Sequence, residues 1–149
     1  MPDAITNYQL PITVFVLIGV QGSGKSTWAR ANAERLNAVV VASDEIRNEL
    51  EAAGMDAMGL SDHVFAILED RVEKLLKQGR SVLVDATHAR RAWRANVLAI
   101  ARRRHARRVA IWFDLPLEVV RERNLSKTGG GWGNRVIPEA LLLDYWSQF

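Results

Sequence analysis

The chain has 149 residues, of which 48% are hydrophobic and 25% charged, and a formal net charge of +3. That balance predicts one folded domain over residues 1–149 and excludes a chain that is disordered or held together by disulfides. With no cysteine, it also excludes a thiolate zinc site and a cysteine nucleophile, so a metal would have to be held by oxygen.

In chain order, ITVFVLI, Ile12 to Ile18, is an uninterrupted apolar strand, and Ser26 to Leu36 carries helix formers. AVVVA reads as a second strand, Asp44 to Ala53 as a helix, and Ser61 to Gln78 as a long helix that Gly79 ends. SVLVD is a third strand and HARRAWRANVLAIARRR a helix. VAIWFD is a fourth strand, LEVVRERN a helix opened by Pro116, and PEALLLDYW a helix opened by Pro138. Strands that are apolar throughout are buried on both faces, and helical crossovers between them require a parallel sheet. The predicted fold is therefore a three-layer α/β domain with a parallel sheet of four or five strands. No apolar run approaches the roughly 20 residues of a membrane helix, and MPDAITNYQLP has neither the basic start nor the apolar stretch of a leader. The cytoplasm is the expected location.

Between the first strand and the first helix lies GVQGSGKST, in which Gly19 to Ser26 matches GxxxxGK[ST] with an additional glycine at position 22. Gly22, Ser23, Gly24 and Thr27 belong to a loop whose backbone N–H groups turn inward around phosphates. Lys25 bridges the outer phosphates and the Ser26 hydroxyl ligates Mg2+. No guanine-reading NKxD element follows, and SVLVD ends in Asp85-Ala86 without the glutamate that polarises water in motor ATPases.

Two carboxylates close strands on this side of the predicted sheet. Asp44, in VVVASDEIRNEL, stands where an acceptor hydroxyl must lose its proton. It equally suits the first turn of a helix, with Ser43 as cap, and position alone leaves both roles open. Asp85 suits the water shell of Mg2+ or the acceptor hydroxyl, or a turn ahead of a capping Thr87. His63, His88 and His105 have no metal-ligand spacing, and Trp28 and Trp93 read as packing residues. Arg102 to Arg108 reads as a helix end with a solvated face, and so do Arg90 and Arg91, although their place just after Asp85 puts them nearer the acceptor side.

GVQGSGKSTWAR, ASDEIR, VLVDAT and RERN followed by a glycine-bearing loop ahead of VIP resemble the kinase domain of phage-type polynucleotide 5′-hydroxyl kinases and their P-loop relatives, from about Ile12 to Tyr145. The resemblance implies ATP and Mg2+ at Lys25 and Ser26, Asp44 as general base, and Arg47 on the phosphate beside the acceptor hydroxyl. It also implies a lid over residues 124–136, with Arg123 on the donor phosphates. Here the lid, LSKTGGGWGNRVIP, is long and glycine-rich and offers Lys127 and Arg135 as its cation. Arg135 is favoured for its reach. The expected activity is transfer of the γ-phosphate of ATP to the 5′-hydroxyl end of a nucleic acid. The alternatives are a small-molecule or toxin-like sugar-nucleotide kinase and a nucleotide-binding regulatory module that transfers nothing.

Overall fold

The computed structural model describes residues 10–149, so MPDAITNYQLP, read above for a leader, lies almost wholly outside the described residues. Four strands, β1 (Thr13–Ile18), β2 (Ala38–Ala42), β3 (Ser81–Asp85) and β4 (Arg107–Trp112), form one sheet in the order β2-β3-β1-β4. Every pairing is parallel. The helices are α1 (Lys25–Asn32), α2 (Ser43–Ala52), α3 (Ser61–Lys77), α4 (Arg91–Arg103), α5 (Leu117–Leu125) and α6 (Glu139–Trp146). None of the described helices is long and apolar enough to cross a membrane.

The period of two in the strands divides the core into two layers. Val14, Val16, Val82 and Val84 face α3 and α4, packing with Val64, Leu68, Val72, Val97 and Ile100. Leu17 and Leu83 face the other way, toward Ala29, Trp28 and Phe113. A third cluster, Val20, Val120, Ile137 and Leu142, holds α5 and α6 against the loop after β1. Trp93 stacks on Phe65 at 4.3 Å between ring centroids, and Trp28 meets Phe113 edge to face at 5.9 Å, so both tryptophans pack as expected.

Helix ends follow local chemistry. After α3, Gly79 adopts φ 74° and donates to Leu76 O at 3.0 Å while Arg80 N donates to Leu75 O at 3.0 Å. This paired closure at a left-handed glycine ends the helix as the sequence predicts. Of the bounds that differ from expectation, three have a clear local cause. α1 stops at Asn32 rather than Leu36, because the chain tightens into turns that close at Asn37, φ 47°. α4 starts at Arg91 rather than His88, because His88 sits at φ 50° and the Arg94 guanidinium binds the carbonyls of His88 and Ala89 at 2.5 and 2.9 Å. β4 begins at Arg107, two residues early, because Arg107 N donates to Ile12 O at 2.8 Å.

His88 is fully buried, and its Nδ1 donates to Leu17 O at 2.8 Å, which leaves Nε2 an acceptor without a donor. Burial, opposed in part by that hydrogen bond, lowers its pKa to about 4. The unfolded chain therefore binds the proton first, and His88 lowers stability progressively as pH falls from 6.5 toward 4, by up to about 3 kcal/mol. Asparagine tolerates left-handed backbone and retains a donor. His88→Asn is therefore expected to flatten the dependence of urea-unfolding stability on pH between 7 and 4.5, and an unchanged slope would remove His88 as its source.

The strand register builds the functional end of the sheet. Leu17 pairs with Asp85 and Asp85 with Ala42, so β1, β3 and β2 finish at one level. The chain leaves β1 toward β2 on one side and leaves β3 toward β4 on the other. The crevice between these diverging connections is where open parallel sheets take their ligands.

Candidate active site

The loop after β1 adopts the conformation its glycines permit. Gly22 and Gly24 have φ 84° and 93°, and a Cβ on Gly22 would meet Val120 O at 3.2 Å. The ring of backbone so formed opens α1, whose first turn carries no acidic residue to offset its positive end. Lys25, first in α1, is buried, and its Nζ donates to Val20 O at 3.1 Å, folding the side chain back over the loop. Burial lowers its pKa to about 8, although Asp85 and Asp44 pull it upward. The Ser23 hydroxyl is buried without a partner, and so is the side-chain oxygen of Gln21.

A cleft of about 850 Å³ opens over this loop. Its walls include Lys25, Ser26 and Thr27 on one side, Asp44 and Asp85 on another, and Arg123 and Lys127 from α5 and the segment after it. Asp85 is buried at the end of β3. Asp44 lies in the first turn of α2. Burial raises its pKa; Lys25 opposes the rise, Asp85 adds to it, and Arg47 and Lys127 oppose it more weakly. Lys127 is half-buried and its pKa is lowered by that burial, with Asp44 the counter-charge. Arg123 reaches the Gly22 carbonyl, Nη1 to O 3.3 Å, and so lies along the phosphate loop.

Two arginines predicted for the cleft do not line it. Arg47 is buried on α2, where Nη1 donates to Ala57 O at 2.7 Å and Nη2 to Ser61 Oγ at 3.1 Å, and its face covers the Trp132 ring at 4.7 Å. Two of its donors are thus engaged by Ala57 and by Ser61 at the start of α3. Arg135 also lies over the Trp132 ring, at 3.9 Å, and contacts Glu51 Oε1 at 3.4 Å. Lys127, the rival lid cation, is the one inside the cleft. Arg90 and Arg91 are exposed at the start of α4, outside the cleft lining, with Arg90 over the Trp93 ring at 5.0 Å.

The sequence reading missed three residues that shape this region. Asn124 is buried and joins the two feet of the glycine-rich segment, donating to Ile137 O and accepting from Ile137 N, both at 3.0 Å. Asn48 accepts from Trp132 N at 2.8 Å. Trp132 is buried against α2. Only the Arg-Asn pair before the segment hinted at the first, and no local pattern announced the others.

Mg2+ fits this donor set. Among the described residues no cluster of three or more His, Cys, Asp or Glu could hold an ion alone. Ser26 and Asp85, however, bring hard oxygens to the one cleft, as suits an ion that is carried mainly by phosphates and water.

The chain is 30% identical over 124 residues to the uncharacterized protein Rv2004c of Mycobacterium tuberculosis, matching 75% of this chain and 25% of that protein. An uncharacterized Mycobacterium bovis protein, Mb2027c, matches to the same extent. The chain thus spans about a quarter of the length of these curated relatives. Among solved structures, it is similar to a chain of the Pnkp1/Rnl/Hen1 RNA repair complex, with 25% identity and a TM-score of 0.74 over 96% of this chain and 45% of that one. It shares its fold with a gluconokinase from Sinorhizobium meliloti, at 21% identity and a TM-score of 0.64 over 95% of this chain and 76% of that one. It shares it also with the Mycobacterium tuberculosis APS kinase CysC solved with AMPPNP and APS, at 22% identity and a TM-score of 0.62 over 78% and 70%. The phosphate loop, the four-stranded parallel sheet and the match of residues 14–145 to the family described as AAA domain agree, and the chain belongs to that family with a kinase-like P-loop fold.

Proposed function

We propose that the chain is an ATP-dependent phosphotransferase and that its acceptor is the 5′-hydroxyl end of a nucleic acid. The observation that carries the reading is the meeting of Lys25, Asp44 and Asp85 in one cleft, with Asp44 held above the usual carboxylate range. A module that only binds nucleotide has no need of a second carboxylate poised to accept a proton. Residues 1–149 act in this reading as one kinase unit in a reducing cytoplasm, with residues 124–136 as its lid.

In the transfer, the phosphate loop and Lys25 hold the donor phosphates, and Arg123 lies along their outer side. Asp44 takes the proton of the acceptor hydroxyl as its oxygen attacks in line, and ADP leaves. Lys127 faces the transferred group and offsets the charge that develops on it. Ser26 and Asp85 would hold Mg2+, which when bound neutralises charge on the phosphates.

The nucleic-acid acceptor draws support from the likeness to the Pnkp1/Rnl/Hen1 RNA repair complex. It draws support also from two further cations in the cleft lining, Lys127 and, on α1, Arg30. A small-molecule acceptor is the second reading, favoured by the commitment of Arg47 elsewhere, which leaves fewer cations for a polyanion. Labelled-phosphate transfer across 5′-hydroxyl DNA, 5′-hydroxyl RNA, nucleosides and sugars distinguishes the two. Two phosphate contacts predict a slope of log affinity against log salt of about −1.4 for a single strand, and Arg30→Ala is expected to flatten it by about 0.7. Transfer to a free sugar or nucleoside with none to any oligonucleotide would overturn the nucleic-acid reading.

A further inference from the structure

The glycine-rich segment between α5 and α6 docks on α2 with Trp132 at the centre of the contact. The guanidinium groups of Arg47 and Arg135 both lie over the Trp132 indole, 4.7 and 3.9 Å from its centroid. Its Nε1 donates to Glu51 Oε1 at 2.7 Å, and its backbone N donates to Asn48 Oδ1 at 2.8 Å. Arg47, Asn48 and Glu51 lie on one face of α2, and Arg47 is itself fixed to Ala57 and Ser61. The seat is therefore rigid.

Asp44 lies one turn earlier on the same face. The residue after Trp132 is Gly133, at φ 84°, and a Cβ on it would stand 3.1 Å from Asp44 Oδ2 and 3.7 Å from its Cγ. The glycine backbone thus lies directly on the carboxylate, at a spacing and in a conformation that glycine accommodates best.

We infer that Trp132 is a positioning residue for phosphoryl transfer: by seating the segment on α2 it lays the Gly133 backbone over Asp44, keeps water from that side of the carboxylate and fixes which oxygen faces the acceptor. The inference rests on Asp44 as the base. Four charged groups face Asp44: Lys25 from α1, Asp85 from β3, Arg47 from α2 itself and Lys127 from the segment after α5. Burial is the largest influence on the carboxyl and raises its pKa, so removing the roof restores hydration and returns the pKa toward the ordinary carboxylate range.

The test compares Trp132→Ala, Trp132→Phe and Gly133→Ala with the native chain, in transfer to whichever acceptor the screen identifies. Trp132→Ala is expected to lower kcat by about 10- to 100-fold, the scale on which misplaced catalytic groups act. It should also move the acid limb of the rate profile to lower pH and leave the KM for ATP within about twofold, because Lys25 and Arg123 hold the nucleotide from the other side. Trp132→Phe keeps an aromatic ring for the two guanidinium groups, loses only the bond to Glu51, and should restore most of the rate. Gly133→Ala should lower kcat through its crowding of Asp44. Should Trp132→Ala fail to fold, as thermal unfolding would reveal, the phenylalanine and glycine variants carry the same comparison. A native kcat and acid limb in Trp132→Ala, or a lower kcat with an unmoved acid limb, overturns the inference while Asp44→Asn remains inactive. Native turnover in Asp44→Asn overturns the base and the inference together.

Discussion

Lys25→Met is expected to lower phosphoryl transfer by more than about 10³-fold, the scale on which cations at a transferred phosphoryl group act. Methionine preserves the length and much of the packing of the side chain, so the loss reports the charge. Lys25 is buried, folded toward the Val20 carbonyl, and faces both Asp44 and Asp85, so its ammonium is the only positive side chain set within the phosphate loop itself. Its pKa of about 8 in the nucleotide-free protein adds a companion expectation. Phosphates favour the charged form, so ATP binding should take up a proton near pH 8 and weaken as pH rises beyond it. Single-turnover transfer and calorimetric titration in buffers of different ionisation enthalpy measure the two effects. Transfer by Lys25→Met within tenfold of native would remove Lys25 from the chemistry.

Asp44→Asn should cut turnover by about 10²-fold or more while leaving ATP affinity nearly intact, because general-base catalysis contributes about 10²- to 10⁴-fold and the amide cannot accept the proton. The sign of the pH dependence follows from the raised pKa. The native rate should climb as Asp44 ionises, at a pH above the usual carboxylate range, and that limb should vanish in Asp44→Asn. Equal losses of ATP affinity and turnover would instead make Asp44 a ligand of the nucleotide or its metal.

These two residues were legible in the sequence because their placement depends on local signals. AVVVA and SVLVD form strands with the predicted bounds, and each strand delivers its carboxylate to the end of the sheet that the phosphate loop already marks. The lid was not legible in the same way. Its glycines permit many paths, and the path taken is selected by contacts with α2 some 84 positions away in the chain, Trp132 to Asn48 and Arg135 to Glu51. Hydrophobic periodicity carries no record of such pairs. For the same reason Arg47 could be matched to a motif but not followed to Ala57, which belongs to a turn that no apolar pattern predicts, or to Ser61 at the start of α3.

The Asn124 bracket bears on how such a molecule diversifies. Because one buried amide pins residue 124 to residue 137, closure of the intervening stretch is met at its base, independently of what the stretch contains. Doubling the length of a closed loop costs only about 0.6 kcal/mol. The stretch can therefore lengthen, shorten or change its side chains over evolutionary time without disturbing α5, α6 or the phosphate loop beneath them. On the proposed reading, the bracket sets the half of the cleft that handles the donor apart from a half whose length and side chains it leaves free to change.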